Sequence, residues 1–226
     1  MNSIAINGNG TIFVDNYPEA RFLNSKLHQM ILNDKNRIRI AGGATRSEWN
    51  WGFGVEECKP LLAWISSTFK STLINMKTFD IDRLIIYECW NVLYDNGQGV
   101  QTHNHLPFAY TFLYYVSTPE GSAPTVFTDS GKEIKAEVGK CAFFPSFLSH
   151  RVSSNNKGDK RSVLVGNFGY ERPSKDIRDQ AGGGGFYFNS QPFYEIANDV
   201  TGEHIGQYIK TDKVKIGTKE RGIKII

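Results

Sequence analysis

From about residue 82 onward the chain breaks into short β-prone segments closed by turn-forming clusters, and this succession limits the fold more than any other feature of the sequence. Leu84-Ile85-Ile86-Tyr87 and Trp90-Asn91-Val92-Leu93-Tyr94 make one long run that stops at Asp95-Asn96-Gly97. Further strand candidates follow at roughly 108–117, 124–128, 132–138, 140–145, 149–153 and 161–169. Pro-Glu-Gly, Asp-Ser-Gly, Val-Gly-Lys and Asn-Lys-Gly-Asp segments separate them, each rich in residues that favour turns. So many short strands at this spacing build a sandwich, jelly roll or barrel, because a βαβ sheet needs a helical stretch between strands.

Two helical patterns precede this half. Over residues 17–33, Pro18 stands near a first helical position, and Leu23, Leu27, Met30 and Ile31 recur at helical spacing. Over about 59–77, Pro60 precedes Leu61, Ile65, Phe69 and Leu73, four residues apart, which is an apolar stripe along one helix face. The expected fold is therefore mainly β, buttressed by N-terminal helices. We read residues 1–226 as one domain: 1–80 as helical support, 82–170 as the β core and 171–226 as a C-terminal extension. His28 is expected to be structural, and Trp49-Asn50-Trp51-Gly52-Phe53, between the helices, either covers a groove or caps the core.

Charge and cysteine content exclude several functions. The net charge is +3, of which residues 210–226 contribute +4 and the remainder −1, so the body is close to neutral and offers no strong nucleic-acid signal. Cys58, Cys89 and Cys141 are distant in sequence and odd in number, which suits neither a disulfide framework nor a CxxC metal site. No apolar run reaches membrane-spanning length and no signal sequence opens the chain, so the expectation is a cytoplasmic protein without a membrane partner. Gly182-Gly183-Gly184-Gly185 reads as a loop and lacks the Lys-Ser/Thr ending of a phosphate loop. His204 lies in a polar C-terminal segment and is a poor ligand candidate.

The stretch richest in chemistry is Gln101-Thr102-His103-Asn104-His105-Leu106-Pro107. In an extended strand alternate residues share a face, so Gln101, His103 and His105 would point the same way. Two imidazoles converging from one strand suit a first-row transition metal, although an HxH pair also occurs as two surface or hydrogen-bonded histidines. A third histidine, His150, follows the strand-and-corner run Cys141-Ala142-Phe143-Phe144-Pro145-Ser146 and opens the next strand. Arg161 comes eleven residues later, ahead of Ser162-Val163-Leu164-Val165. With a turn at Asn155–Asp159, these last two segments are expected to form a hairpin that brings His150 and Arg161 to one cavity.

Over roughly residues 83–170 the sequence resembles the iron(II)- and 2-oxoglutarate-dependent oxygenases, particularly the prolyl-hydroxylase-like members and oxygenases common in bacteriophage genomes. The matching stretches are Trp90-Asn91-Val92, His103-Asn104-His105, Thr111 through Gly121, Thr125-Val126-Phe127, Phe143-Phe144-Pro145-Ser146 with His150, and Arg161. The resemblance implies a double-stranded β-helix, of jelly-roll or cupin type. It implies His103 and His150 as metal ligands, with Arg161 and Tyr115 on the C5 carboxylate of 2-oxoglutarate, a group that a guanidinium fork matches well. His105 stands where the family usually has a carboxylate. It is preferred as third ligand over Asp129, which local turn structure explains. Phe108, Tyr110, Phe112 and Phe143 would line the barrel, unless they pack the core of a sandwich.

The activity so implied is hydroxylation of a peptide or protein side chain, or of a small molecule, coupled to decarboxylation of 2-oxoglutarate to succinate, with iron(II), 2-oxoglutarate and oxygen as partners. Two other readings stay open at this point. One is a three-histidine cupin-type dioxygenase that does not use 2-oxoglutarate. The other is a non-catalytic β-sandwich, a binding or structural module whose histidines are incidental or hold zinc.

Overall fold

A computed structural model describes residues 2–6, 10–76, 84–154 and 157–170, together with two short strands further on. The strands are β1 (Asn2–Ile6), β2 (Gly10–Asn16), β3 (Ile38–Arg39), β4 (Thr45–Arg46), β5 (Leu84–Tyr94), β6 (Val100–His103), β7 (Tyr110–Ser117), β8 (Thr125–Phe127), β9 (Glu133–Ile134), β10 (Lys140–Pro145), β11 (His150–Val152) and β12 (Arg161–Tyr170), with β13 (Tyr194–Glu195) and β14 (Gln207–Tyr208) beyond them. The helices are α1 (Ala20–Asn33) and α2 (Cys58–Asn75), with one 3-10 turn at Trp51–Gly54. Apart from β13 and β14, the C-terminal extension lies outside the described residues, as do Gly182–Gly185, His204 and the basic tail.

Every neighbouring pair in the two main sheets is antiparallel. The larger sheet runs β1-β2-β10-β7-β12-β5-β4-β3, and the smaller runs β6-β11-β8-β9. Between β5 and β12 the chain passes back and forth between the sheets, placing β5, β7, β10 and β12 in the larger and β6, the β8–β9 pair and β11 in the smaller. This is the double-stranded β-helix expected from the resemblance.

The central strands of the larger sheet, β5, β7, β10 and β12, are buried on both faces, which is why they read as continuous apolar runs. On β7, Phe112, Tyr114 and Val116 face the helices while Thr111, Leu113 and Tyr115 face the barrel interior, the period-2 alternation of a strand. The helix-side layer joins Leu27 and Ile31 of α1 and Leu61, Ile65, Phe69 and Leu73 of α2 to Phe112, Phe143 and Phe168 of the sheet. Phe69 is its centre, with its ring stacked at 5.1 Å on Phe143 and tilted at 4.9 Å on Phe168.

Three expectations need correction. Tyr110, Phe112 and Phe143 belong to the helix-side layer and not to the barrel lining, so of the four aromatics only Phe108 faces the cavity. The segments beginning at His150 and Arg161 do not form a hairpin: β11 pairs with β6 and β8 in the smaller sheet, whereas β12 pairs with β5 and β7 in the larger. A short loop between adjacent strands implies a hairpin only if both stay in one sheet, and here the chain crosses over. Residues 1–80 also contain strands, of which β1 and β2 extend the larger sheet beyond β10. The Asn7-Gly8-Asn9-Gly10 sequence between Ile4, Ile6 and Ile12, Val14 was a readable turn signal for them.

Candidate metal centre and its cavity

His103 closes β6, His150 opens β11, and the two are register partners with ring centroids 4.4 Å apart. The approach of β6 to β11 depends on Gly99, since a Cβ there would collide with the Val152 carbonyl oxygen. His105 lies two residues beyond β6 and is held by its own backbone. Its N–H donates to Ser146 O at 2.8 Å and its carbonyl accepts from Phe108 N–H at 3.0 Å, across a cis Leu106–Pro107 bond. Its ring lies nearly parallel to that of His150, at 5°, and the two Nε2 atoms are 3.3 Å apart. One nitrogen from each of the three histidines falls within 4.8 Å of the other two.

The protonation of the rings follows from their partners. His103 Nδ1 meets Gln101 O at 2.8 Å and His150 Nδ1 meets Leu148 O at 2.9 Å. A carbonyl oxygen can only accept, so each Nδ1 carries the proton and each Nε2 keeps a bare lone pair, the tautomer that a metal requires. Burial pulls His150 down to about 3, with the neighbouring His103 acting in the same direction. Burial also lowers His105 well below the usual histidine range, aided by His150 and His103, and lowers His103. The three imidazoles are therefore neutral at physiological pH, and a set of three neutral nitrogen donors fits a divalent first-row metal such as iron(II).

Arg161 begins β12 as the register partner of Tyr94, at the end of β5. It is completely buried, and Nε, Nη1 and Nη2 make no hydrogen bond of ordinary geometry, although the Tyr94 and Tyr115 hydroxyls both lie close enough to feel the guanidinium. Its guanidinium carbon stands 4.3 Å from the Tyr94 ring centroid and 5.5 Å from that of Tyr115. Aromatic faces attract a cation but do not satisfy its in-plane N–H donors. A buried guanidinium left in this state is costly, and the partner it lacks is a small anion able to accept several N–H bonds, such as a carboxylate. Beside it the Tyr115 hydroxyl lies 2.9 Å from Thr125 Oγ1 and donates to Ile134 O at 3.3 Å.

A cavity of about 540 Å³ connects these elements. The three histidines line it together with Tyr94 and Thr125, the wall residues that Arg161 and Tyr115 touch. That volume accommodates a metal, a small dicarboxylate and part of a substrate. On the other side of the histidines the lining includes Trp90, whose ring is 5.7 Å from that of His105, and Trp49, packed edge-on against Trp90 at 4.8 Å. The Arg46 guanidinium lies 3.7 Å above the Trp49 ring. Trp49 thus covers a groove while Phe53, from the same loop, is buried in the helix-side core.

The sequence-expected residues fall into place unevenly. His103, His105 and His150 come together, and Arg161 and Tyr115 lie side by side next to the same cavity. Asp129 is not in the histidine group and sits in the turn after β8, where Gly131 N–H bonds to Phe127 O. His28 is away from the site, with Nδ1 2.8 Å from Ser162 Oγ. Tyr94, Thr125, Glu88 and Asn167 were not singled out from sequence. The available signal was the alternation along β5, which places Glu88, Trp90, Val92 and Tyr94 on one face.

Comparison with solved structures agrees with this topology. The chain is similar to a prolyl-4-hydroxylase from Pseudomonas putida, with a TM-score of 0.57, 17% identity and coverage of 73% of this chain and 95% of that one. It is similar to the viral collagen prolyl hydroxylase of Paramecium bursaria Chlorella virus-1 in its 2-oxoglutarate complex, with a TM-score of 0.53, 15% identity and coverage of 69% and 95%. It is also similar to SnoN, a non-heme α-ketoglutarate-dependent epimerase of nogalamycin biosynthesis, with a TM-score of 0.55, 12% identity and coverage of 77% and 84%. No protein-family model and no curated protein matches the sequence. At these identities the likeness establishes the double-stranded β-helix fold.

Proposed function

We propose that the protein is an iron(II)- and 2-oxoglutarate-dependent dioxygenase that hydroxylates a peptide or protein side chain, in the manner of the prolyl hydroxylases it resembles in fold. The observation that carries this reading is the pairing of two incomplete sites about one cavity: three convergent neutral imidazoles that line it, and, behind its Tyr94 wall, a fully buried Arg161 whose N–H groups make no hydrogen bond of ordinary geometry. Neither alone would select this chemistry. A structural zinc site leaves the arginine unexplained, and a cosubstrate-free cupin centre has no use for it.

In this reading His103, His105 and His150 hold iron(II), and Arg161 with the Tyr115 hydroxyl receives the distal carboxylate of 2-oxoglutarate. Bound iron supplies a centre at which oxygen is activated, and the balanced reaction converts 2-oxoglutarate, oxygen and a substrate C–H into succinate, carbon dioxide and C–OH. The protein's own residues orient and exclude. Phe144, Val92, Leu113 and Val165 keep the space between the two sites apolar, while Trp49, Trp90 and Phe108 form the wall against which a substrate would rest. Neighbours of the same fold include collagen and peptide hydroxylases and an epimerase, so the substrate class is drawn from the prolyl hydroxylases and not from the fold. Three buried free cysteines suit a reducing, cytoplasmic setting. Among the described residues no helix is long and apolar enough to cross a membrane.

Anaerobic titration of the purified protein with iron(II) and then 2-oxoglutarate tests the reading. Chelation of the metal by the keto acid gives a weak visible charge-transfer band, expected here and expected to vanish in His150→Ala. Iron binding with no band would favour the three-histidine dioxygenase without 2-oxoglutarate. Absence of iron binding would leave a non-catalytic β-helix.

A further inference from the structure

On the barrel face of the larger sheet, side chains form rows across β7, β12 and β5. Leu113, Val165 and Trp90 make one such row, all apolar. The next row toward the opposite end from Arg161 is polar. Asn167 is the register partner of Glu88 on one side and of Thr111 on the other. Asn167 Nδ2 donates to Glu88 Oε2 at 2.9 Å, and Thr111 Oγ1 donates to Asn167 Oδ1 at 3.0 Å. Thr111 Oγ1 is also 2.8 Å from Ser146 Oγ, and the Ser146 carbonyl holds the His105 backbone N–H. The row and the His105 loop are thus one connected network, with Asn167 itself only 2% exposed.

His103 and His150 are oriented through Nδ1 by backbone carbonyls. His105 and Asn167 line the same cavity, and Asn167 is the side chain of this row whose influence on the His105 ring acts against that of burial. An amide offers two N–H groups and two lone pairs. The row uses one of each, which leaves capacity for His105. The chain His105, Asn167, Glu88 therefore has the form of a ligand, an orienting partner and a carboxylate behind it.

The charge argument points to the same residue. Three imidazoles leave a divalent metal with its full +2, where a carboxylate in the ligand set would reduce it to +1. Glu88 is the single acidic residue among the described residues that line the cavity; burial raises its carboxyl, while the Asn167 hydrogen bond and the Arg46 guanidinium on the same cavity favour its ionised form. We propose that Glu88, acting through Asn167, is a positioning residue for His105 and supplies, from one side chain away, the negative charge that the three-histidine set lacks. This rests on the metal reading above and adds to it a specific electrostatic device.

The test uses iron(II) and cobalt(II) as probes of the purified full chain, with the iron(III)/iron(II) midpoint potential as the readout that a merely structural residue would not move. Glu88→Gln keeps the size of the side chain and an acceptor for Asn167 but removes the charge. We expect iron(II) affinity to fall about tenfold, the lower end of what loss of an outer-shell partner produces, and the midpoint potential to rise. Moving the charge one step closer, in the double variant Glu88→Gln with Asn167→Asp, is expected to restore both. A folded Glu88→Gln protein with the affinity, cobalt spectrum and potential of the wild type would overturn the inference while leaving the metal site intact. If Glu88→Gln does not fold, Asn167→Asp alone decides: a lowered potential supports the device and an unchanged one refutes it. Failure of the wild type to bind either metal would overturn both this inference and the reading beneath it.

Discussion

His103 and His150 face each other as register partners across β6 and β11, so the position of both imidazoles is a property of strand pairing and not of loop conformation. A slip of one residue would send one of them to the opposite face of the sheet. Loss of an outer-shell partner alone costs a metal site about 10–100-fold, so removing either ring directly should cost more than about a hundredfold in iron(II) or cobalt(II) affinity. Equilibrium titration of His103→Ala and His150→Ala checks this. Because the His150 ring is buried and packs 4.9 Å from Phe144, thermal melts in the absence of metal separate a lost ligand from a lost fold.

Arg161 should make the metal-free protein less stable than it could be. Its three guanidinium nitrogens are buried without a hydrogen bond of ordinary geometry, a state that costs roughly 1–3 kcal/mol or more for a charged group. Arg161→Met replaces it with an apolar side chain of similar length, and chemical denaturation without ligand should show a gain in stability of roughly that size. Added 2-oxoglutarate should raise the melting temperature of the wild type, by mass action, and leave Arg161→Met unmoved. If the variant is instead destabilised and still responds to 2-oxoglutarate, the carboxylate assignment is wrong.

The three convergent histidines were legible because histidine is rare in this chain and its spacing is informative, whereas the rest of the cavity was hidden by burial. Both β5 and β12 are covered on two faces, so Tyr94 and Asn167 stand in runs whose apolar character does not reveal which side faces inward. The crossover between β11 and β12 was equally hidden, since a loop sequence near Asn155–Asp159 carries no mark of changing sheets. The preference for His105 over Asp129 as third ligand rested on Asp129 being explained by local turn structure, and Asp129 does lie in a turn outside the histidine group. Asp129→Asn should therefore change iron(II) affinity by no more than about twofold, as an exposed substitution does. His105→Asp should keep iron binding and lower the midpoint potential, since it returns a negative charge to the ligand set. A large loss of iron on changing Asp129 would reverse the assignment.

The depressed proton affinity of His150 carries a signed consequence for stability in the metal-free state. Its folded value of about 3 lies below the ordinary histidine value of 6.5, so below 6.5 the unfolded chain takes up a proton that the folded chain excludes. Stability is then lost as pH falls through 6.5, at up to about 1.4 kcal/mol per pH unit for this one residue, and the loss stops only near the folded value. His105 and His103 are shifted in the same direction and add to the slope. His150→Asn removes one titrating ring while leaving the other two. In urea denaturation with a chelator present, between about pH 6 and 4.5, the variant should lose stability less steeply than the wild type, by about 1.4 kcal/mol per pH unit at most. Identical slopes would mean that His150 titrates as an exposed histidine does, and that its burial between Phe127 and Phe144 is not maintained in solution.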